Sequence, residues 1–256
     1  VYLARRGLPV RMLERRPDMR RADIPAGRSI NLALSTRGIN ALRQVGLANE
    51  VLDDAIPMKG RMMHSIEGEL TFQPYGTQGQ AINSVSRQGL NELLITAAEE
   101  HENVEIHFDK KCLDVDLGTG AVEVEVAESG EVETHPSRYT IGADGAFSAV
   151  RTRMQKTDRF EYEQHFLTHG YKELTIPPAE GGGFRIEKNA LHIWPRHDFM
   201  MIALPNPDGS FTCTLFLPFD GPKSFSRLDS EGAVEAFFER EFPDAIPHMP
   251  TLLEDF

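Results

Sequence analysis

Cysteine is nearly absent, with only Cys112 and Cys213 among 256 residues. They lie far apart without CxxC or histidine spacing, so neither a disulfide framework nor a zinc site can be read from them, and a reducing compartment suits the chain. Long apolar runs are missing too. The longest, Phe199 to Leu204, stops at Pro205, well short of the ~20 residues that cross a bilayer. Positive charge is scarce: 27 Lys and Arg against 39 Asp and Glu leave a net charge of −12. That balance repels phosphodiester backbones and anionic lipid surfaces, which disfavours a nucleic-acid partner. His64, His107, His169 and His192 show no metal-ligand spacing, so no metal is expected and none of the four receives a catalytic role. No internal repeat or low-complexity tract interrupts the chain.

What is present is a chain long enough for one large domain or two small ones. It opens on Val1 rather than methionine, as a helix end would, and closes on Glu254-Asp255-Phe256 without a turn residue; the sequence therefore reads as a fragment of a longer protein. Leu3 to Arg6 form a last helical turn with Gly7 as C-cap, and Pro9 to Leu13 a short strand ending at the acid Glu14. Ser35 can cap a helix carrying Ile39, Leu42 and Val45, and a second helix covers Leu47 to Ala55. Short strands and turns fill 61–86. An apolar stripe at Leu90, Leu93, Leu94, Ala97 and Ala98 predicts a helix, followed by the strand Val104 to Phe108. Alternating Val122, Val124 and Val126 predict a half-exposed antiparallel strand, and Tyr139 to Ala143 a strand leading into Asp144-Gly145. Four strands follow, at Thr168 to Ile176, Ala190 to Pro195, Phe199 to Leu204 and Phe211 to Leu217, forming an antiparallel sheet. A final helix after Ser230 carries Val234, Phe237 and Phe238 and ends before Pro243. The fold class is α/β at the start and α+β overall.

Two places carry chemistry. A short strand ending in an acid is what the second strand of a dinucleotide-binding βαβ unit presents to a ribose, which makes Glu14 a candidate. An acid at a solvated strand end has the same pattern, and Arg15 and Arg16 are either pyrophosphate partners or solvated cations. The stretch Gly142-Ala143-Asp144-Gly145-Ala146-Phe147-Ser148-Ala149-Val150-Arg151 is more specific, because an aspartate, a glycine and a helix start place a carboxylate and backbone N–H groups where a nucleotide can lie.

That ten-residue stretch resembles the second fingerprint of single-component flavin aromatic hydroxylases. The likeness extends through Gly27-Arg28-Ser29-Ile30-Asn31-Leu32-Ala33-Leu34-Ser35, Pro57 to Met62, Pro74-Tyr75-Gly76-Thr77 and Ser84-Val85-Ser86-Arg87. It continues in His169 to Pro178, Leu191 to Arg196, Phe199 to Asn206 and Ser210 to Phe216, and is strongest to the kynurenine-hydroxylating branch of the family. The N-terminal Gly-rich loop, the later Gly-Asp motif and the helical C-terminal part of that family are not in this sequence, and a piece without them is expected to hold no FAD by itself.

The resemblance implies a Rossmann-like FAD-binding domain, here 1–60 and 87–160, and a substrate-binding β-sheet domain, 61–86 and 161–256. It implies that Leu13, Glu14, Arg15, Arg16, Ala33, Arg87, Cys112, Asp144, Gly145 and Ala149 lie at the FAD, Arg87 through a guanidinium fork on phosphate. Arg61 and Tyr75 would grip an amino-acid carboxylate. Ile82, Leu191, Ile193, Met200, Ile202, Leu204 and Phe216 would line an apolar pocket for the aryl ring. The implied activity is hydroxylation of L-kynurenine to 3-hydroxykynurenine with FAD, NADPH and O2, within tryptophan catabolism and pyridine nucleotide biosynthesis. A bacterial protein would be cytoplasmic, and a eukaryotic one held at the mitochondrial outer membrane by a C-terminal anchor. Two alternatives stay open: another FAD-dependent aromatic hydroxylase of the same fold, or a non-catalytic binding protein of the dissociation-inhibitor type.

Overall fold

The computed structural model describes residues 1–21 and 31–256 of the chain. In chain order the first elements are β1 (Val10–Leu13), β2 (Asn31–Leu34), α1 (Thr36–Gln44), α2 (Ala48–Asp53), β3 (Ile56–Met58), β4 (Gly60–His64), β5 (Leu70–Pro74) and β6 (Ile82–Ser86). Next come α3 (Arg87–Glu99), β7 (Val104–His107), β8 (Lys110–Val115), β9 (Val122–Val126), β10 (Val132–His135) and α4 (Ala149–Met154). The last are β11 (His169–Ile176), β12 (Ala190–Arg196), β13 (Phe199–Pro205), β14 (Phe211–Pro218), α5 (Glu231–Glu241) and α6 (Leu252–Asp255). They fall into two compact units, Val1–Ala26 with Glu92–His165, and Gly27–Asn91 with Phe166–Phe256. The stretch after residue 30 up to 60, read from sequence with the cofactor domain, packs in the second unit; packing by itself assigns no chemical role.

In the first unit a one-turn helix at Ala4–Arg6 closes on Gly7, whose N–H reaches back to the Ala4 carbonyl at φ 73°, a conformation that favours glycine. The chain then enters β1, which pairs in parallel with β7 from Val10↔Val104 to Leu13↔His107. Strands β8, β9 and β10 form an antiparallel meander. Its inner face buries Val115, Val122 and Val124, and Leu13, Cys112 and Val150 pack against them. Strand β1, strand β8 and helix α4 thus converge on one small core. Residues Tyr139 to Ala143, expected as a strand, are not one: no described strand pairs with them, and Ile141 is 75% exposed. Alternation alone does not make a strand whose backbone finds no ladder.

In the second unit six strands run in the order β11-β14-β13-β12-β4-β5, with β2-β6-β3 as a separate three-stranded sheet. The large sheet is not wholly antiparallel as expected, since β12 and β4 run parallel from Ala190↔Gly60 to Ile193↔Met63. The 61–86 segment is shared between the sheets, with β4 and β5 in one and β6 in the other. One face of the large sheet is sealed by α5, whose Val234, Phe237 and Phe238 share one buried core with Trp194, Met201, Cys213 and Leu215. Ser230 caps α5 by accepting the Ala233 N–H at 3.3 Å. Ser35 occupies the N-cap of α1 with no side-chain hydrogen bond, and α5 is followed by the short α6 rather than being the last helix. Both cysteines are free thiols; burial, its largest cause, pushes that of Cys213 upward.

Candidate functional site

The first unit gathers several of the predicted cofactor residues. Glu14 stands at the carboxyl end of the parallel pair, its N–H donating to the His107 carbonyl at 2.9 Å. Its Oε1 accepts the Arg16 N–H at 2.9 Å, and Oε2 has no partner among the described residues. Arg15 and Arg16 follow, both exposed. Cys112 shares the small core with Leu13 and Val150. Burial, then the charges of Asp144 and Asp114, push its thiol upward.

Asp144 is bound tightly within its own loop. Its Oδ1 accepts the Ser148 hydroxyl at 2.5 Å, and its Oδ2 accepts the N–H groups of Ala149 at 2.7 Å and Val150 at 3.3 Å. Ser148 in turn caps α4 by accepting the Arg151 N–H at 3.0 Å. Burial raises the Asp144 carboxyl, but the bonds from Ser148, Val150 and Ala149 outweigh it and hold the group below the usual range. Gly145 takes φ 79° with nothing within 4 Å of where a Cβ would stand, leaving an open backbone approach. Asp144 therefore shapes the loop, and Gly145 and the loop backbone are what a ligand can reach. Asp144→Ala is expected to cost about 1 kcal/mol or somewhat more, as cap removals do, measured by denaturant melts. Since the folded carboxyl lies below its unfolded value of about 3.9, its contribution is present above that pH and is lost as pH falls through the folded value. A mutant with the wild-type acid limb would remove the cap assignment.

In the second unit the period-2 alternation of β4, β12, β13 and β14 sorts the predicted substrate residues. Register pairs Arg61 with Leu191 and Met63 with Ile193. It continues from Ile193 to Ile202 and from Met200 to Phe216. These side chains are half-buried or exposed on the face opposite α5, whereas Trp194, Met201, Cys213 and Leu215 between them are buried. Leu204 belongs to the same row but is only 7% exposed, near the end of β13 where the Pro205 carbonyl accepts from Asn31 Nδ2 and the Ser84 hydroxyl. Ile82 begins β6 in the smaller sheet. At the edge, the Arg61 guanidinium lies 5.4 Å from the Tyr75 ring centre. The Tyr75 hydroxyl is buried and has no hydrogen-bond partner among the described residues. Two bonds hold the base of this pair, Tyr75 N–H to the Lys59 carbonyl at 3.1 Å and Lys59 N–H to the Asn189 carbonyl at 2.8 Å.

Ala33 and Arg87 lie in this second unit, both exposed, Ala33 within β2 and Arg87 as the first residue of α3. They belong to a different compact unit from Glu14 and the Asp144 loop. Gly27 to Ile30 fall outside the described residues.

A family model described as FAD binding domain matches residues 1–197. The chain belongs to the FAD binding domain family. Within it, the chain is 56% identical over its whole length to a kynurenine 3-monooxygenase of Myxococcus xanthus, covering 55% of that protein. It is 49% identical to the one of Dictyostelium discoideum, again over all of this chain and 55% of the relative. The chain spans about half the length of the curated relatives it matches. A solved structure of 2-methyl-3-hydroxypyridine-5-carboxylic acid oxygenase superposes with a TM-score of 0.71 at 21% identity, covering 98% of this chain and 62% of that one. The fold is thus shared with flavin-dependent oxygenases. The FAD of the family name suits the first unit, where Glu14 Oε2 can accept a ribose hydroxyl and the open backbone at Gly145 can approach a phosphate.

One feature of this FAD binding domain family member escaped the sequence reading. His64 and His192, 4% and 2% exposed, form a buried hydrogen-bonded chain with Asp244. Spacing concealed it, because 64, 192 and 244 come from three separate elements. The available signal was on β12, where His192 and Arg196 share the side of Trp194.

Proposed function

We propose that the protein carrying this chain is an FAD-dependent monooxygenase that hydroxylates L-kynurenine to 3-hydroxykynurenine with NADPH and O2. The observation that carries this reading is the Arg61–Tyr75 pair at the rim of an apolar sheet face. A guanidinium grips a carboxylate with two parallel bonds, and a buried hydroxyl with no partner among the described residues offers one more donor. The row Leu191, Ile193, Met200, Ile202 and Phe216 then receives an aryl ring, with Ile82 and Leu204 as further walls. L-Kynurenine carries both a charged amino-acid end and an aryl ketone.

Leu13, Glu14, Arg15, Arg16, Cys112 and the Asp144 loop with Gly145 and Ala149 hold FAD in this reading. Residues 1–60 and 87–160 serve the cofactor, and 61–86 and 161–256 the substrate. Bound FAD supplies the redox chemistry, accepting reducing equivalents from NADPH and activating O2. The protein's own groups bind the carboxylate, orient the ring and keep water from its apolar side. Among the described residues no helix is long and apolar enough to cross a membrane.

The test is the protein expressed from its complete reading frame, supplied with FAD and NADPH in air. L-Kynurenine should stimulate NADPH oxidation and yield 3-hydroxykynurenine by chromatography. Stimulation by a hydroxybenzoate and not by kynurenine would replace this substrate with that of another aromatic hydroxylase.

A further inference from the structure

On the α5 side of the large sheet, opposite Arg61 and Leu191, lies a chain of hydrogen bonds that the proposed reaction does not use. Asp244 Oδ2 is 2.6 Å from His64 Nδ1, and His64 Nε2 is 2.8 Å from His192 Nδ1. His192 Nε2 is 2.8 Å from the Glu187 carbonyl oxygen. The Asp244 carboxylate also accepts the Trp194 indole N–H at 2.9 Å, and the Trp194 ring stacks on His64 at 3.9 Å. Both ends of this chain are acceptors, a carbonyl at one and a carboxylate at the other. Three hydrogen bonds between two acceptor ends require three protons, and two neutral imidazoles bring only two.

We infer that this network stores a third proton, so that His64 is an imidazolium paired with the Asp244 carboxylate, and that the bonded unit is a positioning device for Arg61. His64 ends the strand that carries Arg61, and the His64–His192 bond crosses the same β4–β12 seam whose register sets Arg61 beside Leu191. The role given to Arg61 rests on the carboxylate reading above; the proton count does not.

The surroundings agree with this distribution of charge. Burial raises the Asp244 carboxyl, but the bonds from His64 and Trp194 outweigh it and hold it below the usual range. Burial, the largest cause, pushes His192 down to about 4, and His64 is the ring that touches the carboxylate. Other charges face the network. Arg196 donates to the His64 carbonyl at 3.0 Å and feels Asp244, Glu241 and Glu67. Glu241 is balanced by Lys223 and Arg240, each at 2.8 Å. Glu187 acts on His192. His248, lowered first by burial and then by Arg185, interacts with Asp244 and His64. Removal of the third proton would leave one acceptor facing another inside the sheet, loosening β4 against β12.

The decisive variant is Asp244→Asn. An amide can donate Nδ2–H to His64 Nδ1 and accept the Trp194 N–H on Oδ1, which keeps all three bonds with two neutral imidazoles. In the flavin-loaded protein with ¹⁵N-labelled histidine, one ring should carry protons on both nitrogens at neutral pH. That signal should vanish in His64→Gln and revert to a singly protonated ring in Asp244→Asn. L-Kynurenine affinity should fall with rising pH in the wild type. In Asp244→Asn it should stay within about twofold of the neutral wild-type value and become flat with pH, while Asp244→Ala should weaken it by roughly tenfold. A singly protonated His64 in the wild type at neutral pH overturns the stored proton. Unchanged affinity in Asp244→Ala, or an alkaline fall retained in Asp244→Asn, overturns the positioning role. A wild type that does not bind L-kynurenine overturns the substrate reading and the role given to Arg61, while the histidine spectrum still decides the proton count.

Discussion

Replacing Arg61 with methionine is expected to raise the Michaelis constant for L-kynurenine by roughly 10- to 100-fold, because a hydrogen bond to a charged partner is worth about 1.5–3 kcal/mol and each ~1.4 kcal/mol is a factor of ten. The carboxylate does not change during ring hydroxylation, so the loss should fall on binding and leave the turnover number close to wild type. The substitution leaves the strand itself in place, since the Arg61 side chain is exposed while its backbone stays in register with Leu191 and Gln73. A decarboxylated kynurenine analogue lacks the gripped group and should bind wild type and mutant alike. An equal loss of the analogue would show that Arg61 supports the sheet rather than the substrate.

Phe238→Ala is expected to cost about 3–5 kcal/mol of folding free energy, the usual range for emptying a large aromatic site in a core. Phe238 is fully buried on α5 and lies 5.3 Å from Phe242 and 5.8 Å from Phe237, ring centre to ring centre. These rings close the α5 side of the sheet whose other side carries Arg61 and the apolar row. Chemical denaturation followed through Trp194, the only tryptophan, reports on this side directly. A loss below about 1 kcal/mol would mean that the helix repacks and does not seal the sheet.

Local pattern made much of this fold legible. The valines of β9, the apolar stripe of α3, the four strands from β11 to β14 and the Ser230 cap were all readable from residues within a few positions of one another. Pairings that depend on distant partners were not. Nothing in Gly60 to His64 tells that its partner is β12 running in parallel, and nothing in Tyr139 to Ala143 tells that no described strand pairs with it. Strand β12 also inverts the usual rule, burying His192 and Arg196 while leaving Leu191 and Ile193 half-exposed. Alternation puts His192 and Arg196 on one face and Leu191 and Ile193 on the other, but polarity alone would turn the histidine and arginine face to solvent. The cofactor candidates were partly gathered: Leu13, Cys112 and the Asp144 loop meet around one core, but the role of the Asp144 carboxylate as a loop brace is visible only from its three donors.

The parallel β4–β12 seam also sets an order of assembly. Strands β4 and β5 join across a short turn, with Gly60 opposite Pro74, and β12, β13 and β14 form a local meander. The seam instead joins Gly60 to Ala190, closing a loop about nine times longer than the hairpin's, which costs roughly 2 kcal/mol more in chain entropy. Residues Glu92–His165, which build most of the first unit, lie within that loop. During synthesis the hairpin bearing Arg61 leaves the ribosome long before the strand that receives it, with Leu70 and Phe72 still exposed even in the finished sheet. The proposed carboxylate grip is therefore expected to be completed only when the meander closes on the hairpin that carries it.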